Sequence, residues 1–108
     1  MALSWRARSV VETDRIDTIA DGVAGRYPIP AVLGDLLAVA DHVPLVREDS
    51  IVAGMRMLYR HAGLIVEPSA ALGVAAILED RSRYRGKRVV TIICGANVIR
   101  TDFERWVL

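Results

Sequence analysis

The sequence predicts an α/β fold in which helices cover a short parallel sheet. Segments with helical periodicity alternate with short apolar runs, which favours α/β layering. An unbroken run of β-branched residues, Val89 to Ile93, leads into Cys94 and Gly95 and is typical of a strand buried on both faces. With 108 residues, 53% of them hydrophobic, the chain is long enough for one domain with a core. Ligands of such sheets bind beyond the carboxyl ends of the strands, where residues 94–97 would lie.

The first half of the chain is predicted to contain one helix and one strand. Residues 1–17 show no sustained periodicity and are expected to form an extended connecting segment, followed by a polar turn that contains Gly22. Pro30 suits the first position of a helix that continues to Ala40. A short strand is expected at 43–46, at an edge of the sheet because it contains a proline.

The second half begins with the clearest helix. It starts at Glu48 and Asp49, where the helix dipole favours acids, and stops at Gly63. Its apolar residues recur at helical spacing and are Ile51, Val52, Met55, Leu58, Tyr59 and Ala62.

Three further elements complete the prediction. Pro68 suits the first turn of a helix of mostly small residues that ends near Leu78, and such a helix can lie very close to a neighbour. A charged turn over 79–87 precedes the strand at 89–94. A closing helix is predicted over 101–108, with its first residue, a threonine, as the cap.

Composition restricts the classes of function. A formal net charge of +1 gives no reason to expect a nucleic-acid partner. No apolar run approaches the roughly 20 residues of a membrane span, and the N-terminus lacks the apolar core of a signal peptide. A single cysteine suits a reducing compartment, so a cytoplasmic location is predicted.

The Cys94 thiol is the first candidate for chemistry, as a nucleophile, a metal ligand, a hydrogen-bond partner of a ligand or a buried structural group. Nucleophilic catalysis needs a base, and neither His42 nor His61 is placed beside it by the pattern. One cysteine and two histidines at these spacings match no zinc pattern, so no metal site is predicted. A buried structural cysteine and a hydrogen-bonding thiol both remain open.

Glu67 is the second candidate, because it follows an apolar run and precedes a proline at a helix start. It is either a helix-terminal acid stabilised by the dipole or a carboxylate aimed into a site at the sheet edge. The basic run between Arg81 and Arg88 adjoins two acids and contains a single aromatic residue, which is typical of a solvated turn.

Three segments taken together resemble one enzyme family. They are Thr18-Ile-Ala-Asp-Gly22, Glu67-Pro-Ser-Ala-Ala71 with Gly73-Val-Ala-Ala76, and Val89-Val-Thr-Ile-Ile-Cys-Gly-Ala-Asn97. In this order they resemble the C-terminal third of the pyridoxal-phosphate-dependent threonine/serine dehydratases and serine racemases. The resemblance implies fold type II, the tryptophan-synthase-β-like fold, of which residues 18–108 would form the C-terminal part of the large domain as a partial three-layer sandwich.

The resemblance also implies roles around the cofactor pyridoxal 5'-phosphate. Cys94 stands where the family has a hydroxyl or thiol that hydrogen-bonds the pyridine nitrogen; a thiol is a weak partner and limits electron withdrawal into the ring, which suits β-elimination of water. Gly95 and Gly22 are expected to approach the cofactor closely, and Glu67 is expected near the ring. Ala96 stands where the family commonly has glycine.

Two parts of the family's machinery have no counterpart in the sequence: the lysine that binds the cofactor covalently and the glycine-rich phosphate loop. The single lysine, Lys87, is about 23 Å from Cys94 if the intervening strand is extended. No catalytic residue is therefore predicted. The opening Met1-Ala-Leu-Ser-Trp5 resembles an interior stretch of the family, so a natural C-terminus joined to a truncated beginning is expected.

Three hypotheses follow for the whole molecule. The first is a fragment of a dehydratase for L-threonine or L-serine, inactive alone. The second is a free-standing binding or assembly module without catalysis, which pairs with a separately encoded N-terminal part or binds a small ligand at the Cys94 turn. The third is the product of a decayed gene that does not fold. A homo-oligomer is a further expectation for the chain.

Overall fold

The chain is described by a computed structural model over residues 1–108, which divide into two compact units. Unit 1 comprises Met1–Thr18 and Val23–Leu45, and unit 2 comprises Ile19–Gly22 and Val46–Leu108. All regular elements are helical. They are α1 (Ala2–Ala7), α2 (Pro30–Val39), α3 (Glu48–Ala62), α4 (Leu72–Glu79), α5 (Arg81–Tyr84) and α6 (Arg100–Val107), with 3-10 turns at Asp21–Val23 and Pro68–Ala71.

Unit 1 is built from α1 and α2, which contact each other. The extended connection predicted for 1–17 is wrong for its first residues, because the good helix formers of α1 make a short helix that ends at Arg8 in the left-handed conformation. Ser4 is buried, and its hydroxyl donates to the carbonyl of Val11 and accepts from the same residue's N–H at 2.9 Å. Leu33 of α2 is buried as well.

The two helices predicted most specifically are confirmed. Helix α2 begins at Pro30. The first N–H groups of any helix have no partner within the helix, so proline, which has no N–H, costs no hydrogen bond at this position. Helix α3 begins at Glu48 and ends before Gly63, which has a φ of 66° and lets its N–H and that of the next residue return to the last turn.

Unit 2 has its core between α3, α4 and α6. The buried apolar residues are Ala20, Ile51, Met55, Val66, Ala70, Ala71, Ala75, Phe103 and Val107. The prediction that the small-residue helix lies close to a neighbour is confirmed, because a Cβ atom built on Gly54 of α3 would stand 3.1 Å from the carbonyl oxygen of Ala71. Tyr59 of α3 meets Phe103 of α6 edge to face, with ring centroids 5.3 Å apart.

The closing helix begins one residue earlier than predicted. Ile99 is the residue before α6, and no side chain caps the helix, so the capping role predicted for Thr101 is wrong. Thr101 lies inside the first turn instead. The buried side chains of Phe103 and Val107, four residues apart, fix which face of α6 packs on the core.

The strands predicted at 43–46 and 89–94 are not formed, since no residue of the chain belongs to a β-ladder. A strand needs a partner, and no other segment pairs with either run. The predicted burial on both faces is also wrong: Val90 is 86% exposed and Ile92 80%. Thr91, between them, lies against Gly73 of α4. A Cβ atom on Gly73 would collide with the Thr91 hydroxyl. The sheet of the predicted α/β fold is therefore not formed within this chain, and only the helices are present.

The helices are all too short or too polar to cross a membrane.

Candidate functional site

Glu67 occupies the centre of the candidate site, which lies wholly within unit 2. It follows the buried residue Val66 and precedes the 3-10 turn that starts at Pro68. Its backbone N–H donates to the carbonyl oxygen of Gly95 at 3.2 Å, and its own carbonyl accepts from Ala70. The start of the turn is thereby tied to the segment that follows Cys94.

The Glu67 side chain reaches the same segment a second time. Its Oε2 atom accepts a hydrogen bond from the backbone N–H of Asn97 at 3.0 Å. A Cβ atom on Gly95 would stand 2.5 Å from the carboxyl carbon of Glu67, so the carboxylate can lie over the turn only because residue 95 is glycine. A carboxylate is a strong acceptor for a backbone N–H, which makes this a charge-assisted contact.

Gly22 closes the other side of the carboxylate. A Cβ atom on Gly22 would stand 2.8 Å from the hydroxyl oxygen of Ser69 and 3.4 Å from Oε1 of Glu67. The preceding residues anchor this turn, since Ala20 is buried and the N–H of Ile19 donates to the Glu48 carboxylate at 2.9 Å. Three segments that are distant in sequence therefore converge around one carboxylate.

The fourth predicted residue, Cys94, adjoins this cluster through Gly95. It is a free cysteine and it is exposed, so the interpretation of Cys94 as a buried structural residue is wrong. The exposure of Cys94 has the same cause as that of Val90 and Ile92, because no second segment pairs with residues 89–94. The thiol is accessible at the edge of the carboxylate cluster. Its role as a ring-nitrogen partner stays a prediction.

Two participants in this cluster were missed at the level of sequence. Ser69 is buried and presents its hydroxyl to Gly22, and a lone polar residue in an apolar run could have indicated such a position. Asn97 contributes its backbone N–H, which every residue except proline carries. No side-chain pattern could have identified that contact.

The remaining candidate groups are elsewhere. Lys87 lies beside Gly86, in the charged turn after α5, and its backbone N–H donates to the carbonyl of Tyr84. No group of three or more His, Cys, Asp and Glu side chains is arranged to hold a metal ion.

A second polar cluster surrounds a cavity of about 270 Å³ at the start of α3. The cavity is lined by Arg47, Asp49, Ser50, Ala53, Leu78 and Arg81. At its rim, Glu79 accepts a hydrogen bond from the backbone N–H of Arg47 at 2.8 Å and lies 3.5 Å from the guanidinium of the same residue. None of the predicted site residues contributes to it.

Glu79 is expected to make unfolding depend on pH. The hydrogen bond from the Arg47 backbone N–H, followed by one from the Ser50 side chain, lowers the pKa of Glu79 below its usual 4.5. A carboxyl whose folded pKa is lowered stabilises the fold fully above its unfolded pKa, and this contribution is lost as the pH falls through the folded pKa. The urea midpoint of the wild type should therefore fall relative to that of Glu79→Gln below about pH 4.5. Parallel curves for the two proteins would contradict this assignment.

Comparison with known protein families gives a match over most of the chain. A family model described as pyridoxal-phosphate dependent enzyme matches residues 1–95. An L-threo-3-hydroxyaspartate ammonia-lyase from Pseudomonas sp is 32% identical over 95% of this chain and 31% of its own length. A biosynthetic L-threonine dehydratase from Bacillus subtilis is 33% identical over 87% of this chain and 22% of its own length.

Comparison with solved structures also finds similar enzymes. A threonine deaminase from T.th. superposes with a TM-score of 0.84 at 25% identity, over 91% of this chain and 33% of that one. A maize serine racemase superposes with a TM-score of 0.84 at 28% identity, over 96% of this chain and 33% of its own. The chain thus spans about a third of the length of these structures.

Proposed function

Because this chain belongs to the pyridoxal-phosphate-dependent enzyme family, we propose that it supplies one wall of a cofactor pocket, on the pyridine-nitrogen side, in a dehydratase acting on L-threonine or L-serine. The observation that supports this proposal best is the convergence of Gly22, Glu67 and Gly95 around one carboxylate. These are three of the four residues that the resemblance assigns to the cofactor, and the fourth, Cys94, is exposed next to them.

The residues present fit one side of pyridoxal phosphate. The Glu67 and Ser69 side chains occupy the space that Cβ atoms on Gly22 and Gly95 would take, which packs this wall closely, and the exposed Cys94 thiol belongs to the residue next to Gly95. The chain offers no glycine-rich loop for the phosphate, and its single lysine lies in the charged turn after α5. When bound, the cofactor withdraws electrons from the α-carbon of an amino acid, which permits loss of the α-proton and of the β-hydroxyl.

Within that chemistry, the proposed tasks of this chain are binding and orientation. Cys94 would present its sulfur to the ring nitrogen, and the Gly22 and Gly95 turns, with the Glu67 carboxylate between them, would form the adjoining wall. The group that moves the α-proton and the group that tethers the cofactor would come from a polypeptide that covers the exposed run at Val90 and Ile92. We therefore propose that this chain has no turnover alone and works with that polypeptide in the cytoplasm.

The proposal predicts that the isolated chain does not bind pyridoxal phosphate covalently. Purified protein mixed with the cofactor should show no absorption band of a lysine-bound form, because Lys87 lies in a different segment from the carboxylate cluster. The matched control is Lys87→Ala, which should give the same spectrum. A band in the wild type that disappears in Lys87→Ala would contradict the proposal.

Coexpression separates this proposal from the second one, a binding or assembly module without catalysis. The partner is the upstream two thirds of one of the dehydratase relatives, truncated where this chain's match begins. Copurification with release of ammonia from L-threonine or L-serine, absent from either part alone, would support the dehydratase. Copurification without turnover would favour the assembly module, for which the exposed Val90 and Ile92 are the supporting observation.

A further inference from the structure

We propose that Glu67 is a positioning residue, whose carboxylate holds the turn of residues 95–97 and thereby fixes where the Cys94 thiol stands. The link from that thiol to a cofactor ring rests on the proposed function; the holding of the turn does not. A carboxylate near a pocket invites an acid–base role, but its contacts here are with the backbone of the chain itself.

Glu67 forms two hydrogen bonds with the turn. Its N–H donates to the carbonyl of Gly95 at 3.2 Å, and its Oε2 accepts from the N–H of Asn97 at 3.0 Å. One residue thus bonds to the turn through its backbone and through its side chain, on residues two apart. With only the backbone bond, the turn could pivot about Gly95; the second bond prevents that rotation.

Gly95 is what lets the carboxylate reach Asn97. A Cβ there would lie 2.5 Å from both the carboxyl carbon and Oε2 of Glu67. Gly95 is not among the residues with positive φ, so alanine is compatible with its backbone and only the space is lacking. Because the obstacle is the end of a flexible side chain, Gly95→Ala should displace the carboxylate and break its bond to Asn97.

The opposite side of the carboxylate is confined as well. Oε1 would be 3.4 Å from a Cβ on Gly22, which lies next to the Ser69 hydroxyl and two residues after the buried Ala20. The carboxylate is thus bounded by two glycine turns, one of which leads directly to Cys94. The turn requires an acceptor atom in this position, and the negative charge strengthens the hydrogen bond.

Four variants of the full chain test this proposal, with no cofactor present. Amide exchange at Asn97 reports the hydrogen bond, and the rate of modification by a thiol reagent reports Cys94, the single cysteine. Glu67→Ala and Gly95→Ala should each speed exchange at Asn97 about tenfold, the effect of losing one hydrogen bond. Both should also speed modification of Cys94, and the double variant should match Glu67→Ala, because the bond is then already absent.

Glu67→Gln separates the acceptor from the charge. Glutamine keeps a side-chain oxygen for Asn97 but not the charge that strengthens the bond, so both readouts should lie closer to those of the wild type than to those of Glu67→Ala. Glu79→Ala is the matched control, since it removes a carboxylate that also accepts a backbone N–H, that of Arg47, and it should leave both readouts unchanged.

The proposal is overturned if Glu67→Ala leaves exchange at Asn97 unchanged, or if Glu67→Gln behaves like Glu67→Ala. Should Glu67→Ala fail to fold, Gly95→Ala tests the same bond with the glutamate in place, and unchanged exchange there overturns the proposal equally. A failure of the dehydratase proposal would appear in the coexpression experiment and leave this pattern of exchange intact.

Discussion

Replacing Met55 with alanine is expected to lower the free energy of unfolding by about 2–5 kcal/mol, toward the upper end of that range. Met55 is fully buried in the core of unit 2. Many of the other buried residues there are alanines, among them Ala70, Ala71 and Ala75, which have no side chain long enough to fill the cavity that the substitution leaves. A loss of this size is a large fraction of the stability of a small domain.

The measurement is chemical denaturation followed by circular dichroism. Met57→Ala is the matched control, because it removes the same atoms from the same helix at a position that is 41% exposed. It should change the free energy of unfolding by no more than about 0.5 kcal/mol. Equal losses for the two variants would show that the core does not lie where α3, α4 and α6 place it.

The second large effect is expected at Gly54, where α3 lies against the 3-10 turn Pro68–Ala71 and the start of α4. A Cβ there would already be 3.1 Å from the backbone oxygen of Ala71 and 3.4 Å from its Cβ. Gly54→Leu should lower the free energy of unfolding by about 1–3 kcal/mol, because a backbone atom cannot move aside as a side chain can and the turn Pro68–Ala71 must shift.

Gly34→Leu is the control for that substitution. Gly34 lies inside α2, and a Cβ atom placed on it would have no other atom within 4 Å, so the same change there meets open space. Leucine is a better helix former than glycine, and the control should gain about 0.5–1 kcal/mol. The thermal midpoints of the two variants should therefore move in opposite directions, and a fall in both would contradict the explanation by crowding.

The helices could be predicted from the sequence because their signals are local. Pro30 at a helix start and Gly63 at a helix end act within one turn, and the apolar spacing of α3 selects its buried face. Helix α1 was missed because it is too short to show periodicity. The cap was predicted at Thr101, two residues after its actual position at Ile99, which is within the usual variation of helix ends.

The sheet could not be predicted reliably, for a physical reason. The β-branched run Val89 to Ile93 indicates what a strand is made of, yet a strand exists only when a second segment supplies its hydrogen bonds. No such segment is found in this chain. The composition of the run also suggested burial, which depends on the same absent neighbour.

The site was predictable in part, through the resemblance rather than through local pattern. Gly22, Glu67 and Gly95 are far apart in sequence, and only the family's order of motifs assigns them to one cofactor pocket. They lie close together in unit 2, while their role at a cofactor stays a proposal. The contacts of Ser69 and of the Asn97 backbone depend on tertiary geometry, which one sequence does not encode in a recognisable motif.

The contact between Thr91 and Gly73 affects how this chain would associate with another polypeptide. Fixing the backbone of a residue costs about 1–2 kcal/mol in conformational entropy, and a disordered tail loses that entropy at the moment of association. Here the middle of the run is already held against α4 while the side chains of Val90 and Ile92 stand out into solvent. The run is thus partly ordered before association, and its two outward side chains form an apolar surface that another polypeptide, or a second copy of this chain, would cover.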